Sequence, residues 1–306
     1  MKKSILNNLL SLISDYSLDG YIVPKNDSFF TEQVNHDRLK LVSNFSGSAG
    51  FAIIFHRKNY LFVDSRYTIQ AKLESGKNFK IINFPEKLPK YLFKNIELGF
   101  DPNLFTYNQL KLLFGDNIKL KAIEENLIDK IFKIKQKKNM PFFSIPNEAA
   151  GESYRKKIIL LSNYLSRKKA DYIYLSAPEN VAWLLNIRGS DTPYSPLPNS
   201  NLILSKDRKI YLITKKYKAR KLLLERKLSS NQIVDEKKFQ NFIKSLQGRK
   251  IIVDHKTLTI YKENIIRSKF SIISRNDPCY FYKSIKNSKE INNMLQSHIK
   301  DGVALT

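Results

Sequence analysis

The sequence predicts an α/β protein in which one architecture occurs twice: two related domains, each a mixed β-sheet flanked by helices. Three observations lead there. Apolar strands alternate with amphipathic helical segments, the pattern of a sheet layered with helices. Pairs of strands are joined by short charged turns, which makes hairpins and so rules out a wholly parallel sheet. The second half also repeats the pattern of the first at a nearly constant offset, the sign of an internal duplication.

Residues 4–14 come first, with Ile5, Leu6, Leu9, Leu10, Leu12 and Ile13 spaced along one face of a helix. Asp19-Gly20-Tyr21-Ile22-Val23 reads as the first strand. Ala52 to Asp64 reads as strand, charged turn and strand, and residues 66–75 as the following helix. Leu98-Gly99-Phe100-Asp101 is a later strand. The stretch from Met140 to Asn147, punctuated by Pro141 and Pro146, has little periodicity and marks a boundary.

Beyond it the order recurs. A helix at 149–167 precedes Ala170-Asp171-Tyr172-Ile173-Tyr174, the counterpart of Asp19 to Val23. Leu202 to Thr214 repeats the hairpin 150 positions after Ala52 to Asp64, and residues 215–226 repeat the helix. Ile251-Ile252-Val253-Asp254 repeats Leu98 to Asp101. Three matches in one order define domains over 1–143 and 144–285. A last segment, 286–306, is a helix whose apolar stripe runs through Ile291, Met294, Leu295, His298, Ile299, Gly302 and Val303. No glycine cap or proline stops it, and such a face requires a partner.

Composition bounds the function. The 306 residues suffice for two domains with cores of their own, and 42% hydrophobic with 12% aromatic residues is a globular balance. The single cysteine, Cys279, excludes a disulfide framework and cysteine-rich zinc modules, and points to a reducing compartment, the cytoplasm. Met1-Lys2-Lys3 and the apolar residues behind it imitate a signal peptide, but Asn7 and Asn8 interrupt them and no small-x-small site follows. No apolar segment approaches the ~20 residues that cross a bilayer. The formal charge of +25 invites a nucleic-acid reading. Its basic residues are scattered, with short clusters such as Lys133 to Lys138, and neither an aromatic RNP motif nor a Cys/His finger is present. Lysines spread over solvated faces are the better account.

Few residues offer chemistry. The four histidines, His36, His56, His255 and His298, show no His-x-x-x-His spacing and no paired carboxylates beside them, so no metal site is expected here. Phe45-Ser46-Gly47-Ser48-Ala49-Gly50 is a small-residue turn, but it leads into a strand; close packing explains it better than anion binding. In Asp64-Ser65-Arg66-Tyr67, either Asp64 or Ser65 serves as a helix cap, and Arg66 is equally suited to a carboxylate or carbonyl of a ligand. Cys279 has no histidine near it in sequence and no Gly-x-Ser-x-Gly elbow appears. In Trp183 to Pro196 an apolar run halts at Arg188-Gly189-Ser190-Asp191, and Pro193 and Pro196 prevent a helix from resuming. Arg188 and Asp191 read as an ion-paired turn.

These residues together resemble aminopeptidase P, the cytosolic three-domain Xaa-Pro aminopeptidases of the creatinase/prolidase superfamily. Asp27 to Gln33, Asp37-Arg38, Phe45 to Gly50, Asp64 to Tyr67 and Gln70-Ala71 are similar to that family's first domain. Trp183 to Pro196 resembles its second; Tyr282 to Asn287, Glu290 and His298 to Leu305 resemble the entry to its third. The resemblance implies two creatinase N-terminal-like domains, with 286–306 the start of a truncated pita-bread catalytic domain. It implies a hydrolase that removes a residue preceding proline, using two divalent ions, usually manganese, whose ligands would fall beyond Thr306. It further implies a homodimer, a proline-containing peptide as substrate, and Arg66 as the first domain's contact to it. Ser65 stands where the family has glycine. This segment alone would bind no metal and be inactive, its domains supporting oligomerisation and substrate access. The alternative is a stand-alone basic protein that binds nucleic acid or another polyanion.

Overall fold

A computed structural model of the chain describes residues 2–31, 34, 36–132 and 140–306; the basic run Lys133 to Lys138 and Gln33 lie outside the described residues. The chain gathers into two compact units, residues 1–137 with 259–262, and 138–258 with 263–306.

In the first unit, β1 (Gly20–Pro24) is central. It runs antiparallel to β2 (Phe51–Phe55) and parallel to β5 (Glu97–Phe100). β2 continues antiparallel into β3 (Asn59–Val63), which pairs in parallel with β4 (Phe79–Asn83), while β6 (Lys119–Ala122) runs parallel to β5. The order is β4-β3-β2-β1-β5-β6. Successive strand side chains point to opposite faces, and here both faces are covered. Tyr21, Val23, Ala52 and Ile54 pack with Ile5, Leu9 and Ile13 of the helix Lys2–Asp15. Ile22, Ile53 and Phe62 pack on the other side with Leu110, Leu113 and Phe114 of the helix Tyr107–Phe114. That is why these strands are continuously apolar rather than alternating.

The second unit repeats this sheet. A short ribbon, β7 (Phe143–Ser144) with β9 (Ile187–Arg188), stands apart from it. The main sheet uses β8 (Tyr172–Leu175), β10 (Asn201–Ser205), β11 (Ile210–Ile213), β12 (Ile233–Val234), β13 (Lys250–Val253) and β14 (Ser271–Ser274). Their order is β12-β11-β10-β8-β13-β14, the first sheet's order strand for strand, with the same parallel and antiparallel pairings. Each unit is thus a mixed sheet flanked by helices, as the duplication predicts.

Element ends differ where caps intervene. The helix expected over 149–167 is two: Asn147–Ala150 stops at Gly151, in the left-handed region at φ 73°, and Tyr154–Arg167 starts anew with Ser153 as its cap. The helices expected over 66–75 and 215–226 each open with a 3-10 turn, Ser65–Tyr67 and Lys216–Ala219. The apolar run through Trp183 is itself a helix, Pro178–Leu185.

Candidate functional site

Two places gather the residues that the sequence singles out, one in each unit. In the first, β3 ends and the chain turns at Asp64 into the Ser65–Tyr67 turn and the helix Thr68–Ser75. Asp64 is the cap: its carboxylate accepts from the Arg66 N–H at 3.0 Å. The same carboxylate holds the Arg66 guanidinium, with Nε at 3.1 Å and Nη2 at 2.7 Å. Cap and exposed cation are therefore two parts of one arrangement, not rivals. Hydrogen bonding from Arg66 lowers the Asp64 pKa, and the bond to Asp64 raises that of Arg66. Arg66 is 73% exposed, and its Nη1 has no partner among the described residues.

Phe45 to Gly50 packs against this helix. Ser46 donates its N–H and hydroxyl to Glu74, each at 2.7 Å, and Gln70 donates to both Ser46 Oγ and Glu74. Ser48 and Tyr67 hydroxyls meet at 2.8 Å, and the Phe45 ring stands edge-on to Tyr67 at 5.7 Å. A Cβ on Gly47 would lie 2.2 Å from the Phe45 ring; Gly50, at φ 152°, lies where a Cβ would come 2.7 Å from the Phe62 carbonyl oxygen. The small residues serve close packing at the entry to β2. So the sequence motifs Phe45 to Gly50, Asp64 to Tyr67 and Gln70 form one cluster.

In the second unit, the helix Pro178–Leu185 ends at Asn186 in the left-handed conformation, φ 50° and ψ 52°. Its last carbonyls meet three cations. Lys157 Nζ donates to Trp183 O at 3.0 Å and Asn186 Oδ1 at 2.8 Å, and stands 4.5 Å from the Trp183 ring centroid. Arg188 Nη1 donates to Ile187 O at 2.9 Å and Ala182 O at 3.4 Å; Lys227 Nζ donates to Asn186 O at 2.9 Å. A helix C-terminus carries partial negative charge, which favours cations there. Burial nevertheless lowers the pKa of Lys157 and Arg188, and brings Lys227 down to about 8.

Arg188 and Asp191 do not pair as expected. Asp191 binds Lys218 at 2.8 Å, both side chains buried, and accepts from the Asn199 N–H at 2.8 Å. The strand ends at Arg188 and the chain bends at Ser190 and Asp191, so Arg188 meets the helix end while Asp191 meets Lys218 of the 3-10 turn. Sequence reasoning also missed Lys157 and Lys227. A signal existed: Lys157 falls fifteen residues before Tyr172, as Ile5 falls fifteen before Gly20, so the two halves set a lysine against a core isoleucine.

The remaining predicted residues are structural. Asp27 accepts from the Phe29 and Thr31 N–H groups and from Thr31 Oγ1. Asp37 caps the helix Arg38–Ser43 and pairs with Lys25; Arg38 holds Asp129 through Nε at 2.8 Å and Nη2 at 2.7 Å. His56 meets Ser14, and His255 meets Glu263. Cys279 is wholly buried, and burial raises its thiol pKa well above the usual value, the opposite of a nucleophile. Asn287 and Glu290 form a capping box on the helix Ser288–Leu305, whose Ile291, Met294, Leu295, Ile299 and Val303 stay exposed. Among the described residues no group of three or more His, Cys, Asp or Glu is placed to hold a metal, so they do not fit a pair of divalent ions.

Two models of the creatinase/prolidase N-terminal domain match, one over residues 6–131 and one over 133–290. Xaa-Pro aminopeptidase 1 of Dictyostelium discoideum is 29% identical over 326 residues, taking in 98% of this chain and 51% of that protein. Xaa-Pro aminopeptidase ApepP of Drosophila melanogaster is 30% identical over 310 residues, with 94% and 50% covered. Among solved structures, the X-prolyl aminopeptidase of Caenorhabditis elegans, described as a cytosolic enzyme with a di-nuclear active site, matches with a TM-score of 0.85 and 25% identity over 100% of this chain and 55% of its own. The chain spans about half the length of the curated relatives it matches.

Proposed function

The chain belongs to the creatinase/prolidase N-terminal domain family, and from that premise we propose that it is the non-catalytic N-terminal region of a metal-dependent Xaa-Pro aminopeptidase. The observation that carries this is the match to Xaa-Pro aminopeptidases through both domains in order, end to end. The reaction would release an N-terminal residue preceding proline. Two metal ions, manganese by resemblance, would supply the nucleophile from bound water and polarise the carbonyl, held by residues outside this chain. Domains over 1–143 and 144–285 would wall the substrate groove and support a homodimer, with 286–306 entering the catalytic part. The exposed apolar stripe of Ser288–Leu305 favours such a partner. The proposed location is the cytoplasm; no helix among the described residues is long and apolar enough to cross a membrane.

Arg66 is the proposed substrate contact. Asp64 fixes the guanidinium through one edge and leaves Nη1 free, which suits a charge-assisted bond to a peptide carbonyl or carboxylate. The chain alone, assayed with manganese, is expected to release no residue from an Xaa-Pro peptide; measurable release overturns the reading. A chimera joined after Thr306 to the unmatched half of the Dictyostelium enzyme is expected to release it. In that chimera Arg66→Ala should lower kcat/KM by about tenfold while leaving the fold intact. An unchanged value removes Arg66 from the site.

A further inference from the structure

Two of the cations around Asn186, Lys157 and Arg188, line a cavity of about 410 Å³ in the second unit, together with Lys286, Trp183, Ile145 and, from the helix Ser288–Leu305, Glu290 and Met294. Its walls are mostly apolar, and its size is that of a small-ligand site. Two features make it unlike an incidental hollow.

The first is an excess of positive charge. Lys157 is 2% exposed, yet its ammonium is bonded only to neutral oxygens, Trp183 O and Asn186 Oδ1. Arg188 spends Nη1 on two carbonyls, leaving Nε and Nη2 without a partner among the described residues. Among the described residues neither cation has an ion-pair partner. Glu290 is the one carboxylate on the wall, and with Glu152 it offsets part of the Lys157 charge without pairing to it; the wall's three cations, Lys157, Arg188 and Lys286, still outnumber it. Buried cations bonded only to neutral oxygens leave a net positive potential at low dielectric, and an entering anion would gain from it.

The second feature is the duplication. At the place of Lys157 the first unit has Ile5, 5% exposed and part of an unbroken apolar core. The shared sheet topology does not require a cation there. A lysine ammonium buried at this position costs desolvation that a core isoleucine does not, and only the second unit bears it.

We propose that this cavity binds a carboxylate carried on a small apolar body, with the free Nε/Nη2 edge of Arg188 receiving the carboxylate and the Trp183 indole, Ile145 and Met294 receiving the apolar part. A guanidinium edge matches a carboxylate in two parallel bonds, a geometry that Lys157 as a point charge does not offer. The shared chemistry has three sources: a free amino acid, an N-acylated one, or a peptide C-terminus. It is a site separate from Arg66 and does not depend on the peptidase reading.

Trp183 is the only tryptophan of the chain, so its fluorescence reports this cavity directly. Titration of the chain with N-acetyl-leucine is expected to change that emission saturably, with a Kd on the order of 1 mM. N-acetyl-leucinamide, which lacks the charge, should bind at least about tenfold more weakly. Free leucine and N-acetyl-alanyl-leucine distinguish the sources: binding of the dipeptide as tight as that of N-acetyl-leucine assigns a peptide C-terminus, binding of N-acetyl-leucine alone an N-acylated amino acid, and tighter binding of free leucine a free amino acid. Arg188→Lys keeps the charge and loses the forked edge, and should weaken binding about tenfold. Met294→Glu, on the exposed face of its helix, should weaken it independently by repelling the carboxylate. Absence of any saturable change, equal binding of acid and amide, or full affinity in Met294→Glu overturns the proposal, whatever the stability of Arg188→Lys.

Discussion

The two units carry one sheet topology and opposite treatments of charge. In the first, the turn after the hairpin keeps its ion pair at the surface: Asp64 and Arg66 bond within three residues, and Arg66 is 73% exposed. In the second, the corresponding turn, Lys216–Ala219, sends Lys218 inward to Asp191, with 7% and 0% of the side chains exposed. The helix before the hairpin tells the same story. Arg38–Ser43 and Pro178–Leu185 both end in a left-handed asparagine, Asn44 and Asn186. Only the second is ringed by Lys157, Arg188 and Lys227. From each asparagine the first chain needs Phe45 to Gly50 to reach its hairpin, whereas the second takes Ile187 to Ser200. The longer connection brings Asp191 inside and allows a lysine to follow. A duplicated fold thus keeps strand order while connections decide which charges are solvated.

The largest test of that difference is Asp191→Ala. It strands the buried Lys218 ammonium without its carboxylate, a change that typically costs about 3–5 kcal/mol. Denaturant unfolding followed by Trp183 emission reads the second unit and should show that loss. Arg66→Ala, which breaks the surface pair of the first unit, should leave the midpoint in place. Equal effects of the two substitutions would erase the contrast.

Much of this was legible beforehand, because strands buried on both faces and hairpin turns write themselves in local pattern. Ala52 to Asp64 and Leu202 to Thr214 became β2–β3 and β10–β11. Caps were less legible: Gly151 splits a periodic stretch because a single left-handed residue outweighs continuous apolar spacing. The site was half legible. Asp64 and Arg66 are neighbours in sequence, so their pairing follows from the turn. Lys157, Asn186 and Lys227 span most of a domain, and no local pattern reveals that three separate segments meet at one helix end. Asp191 and Arg188 are near in sequence but do not pair in space, because the buried Lys218 reaches Asp191 from a separate segment.

A middle-sized test bears on Lys157. Replacing it by isoleucine makes the second unit match the first at this position, but leaves Trp183 O and Asn186 Oδ1 without their donor. The loss should be about 1–3 kcal/mol, read from the Trp183 unfolding transition. Were Lys157→Ile stabilising, the lysine would be a burden the fold does not need, and the contrast between Ile5 and Lys157 would bear on function alone.

The smallest effect is one of pH, and it isolates Lys227, a cation on the Asn186 carbonyl that has no like in the first unit. Burial lowers its pKa from 10.5 to about 8, with Lys157 adding to the shift and Glu225 opposing it. Between about pH 8 and 10.5 the unfolded chain holds this proton while the folded chain has released it. Unfolding then takes up a proton, so this group's contribution makes stability rise with pH across that window. Below about 8 both states are charged and the contribution is flat at its lower level; above 10.5 both are neutral. Lys227→Met removes the titrating group, so the wild-type minus variant difference in unfolding free energy should climb from pH 8 to 10.5 and be level on either side. Parallel curves for the two proteins would show that the ammonium is solvated like the surface lysines of the first unit, and would return the second unit's helix end to ordinary surface chemistry.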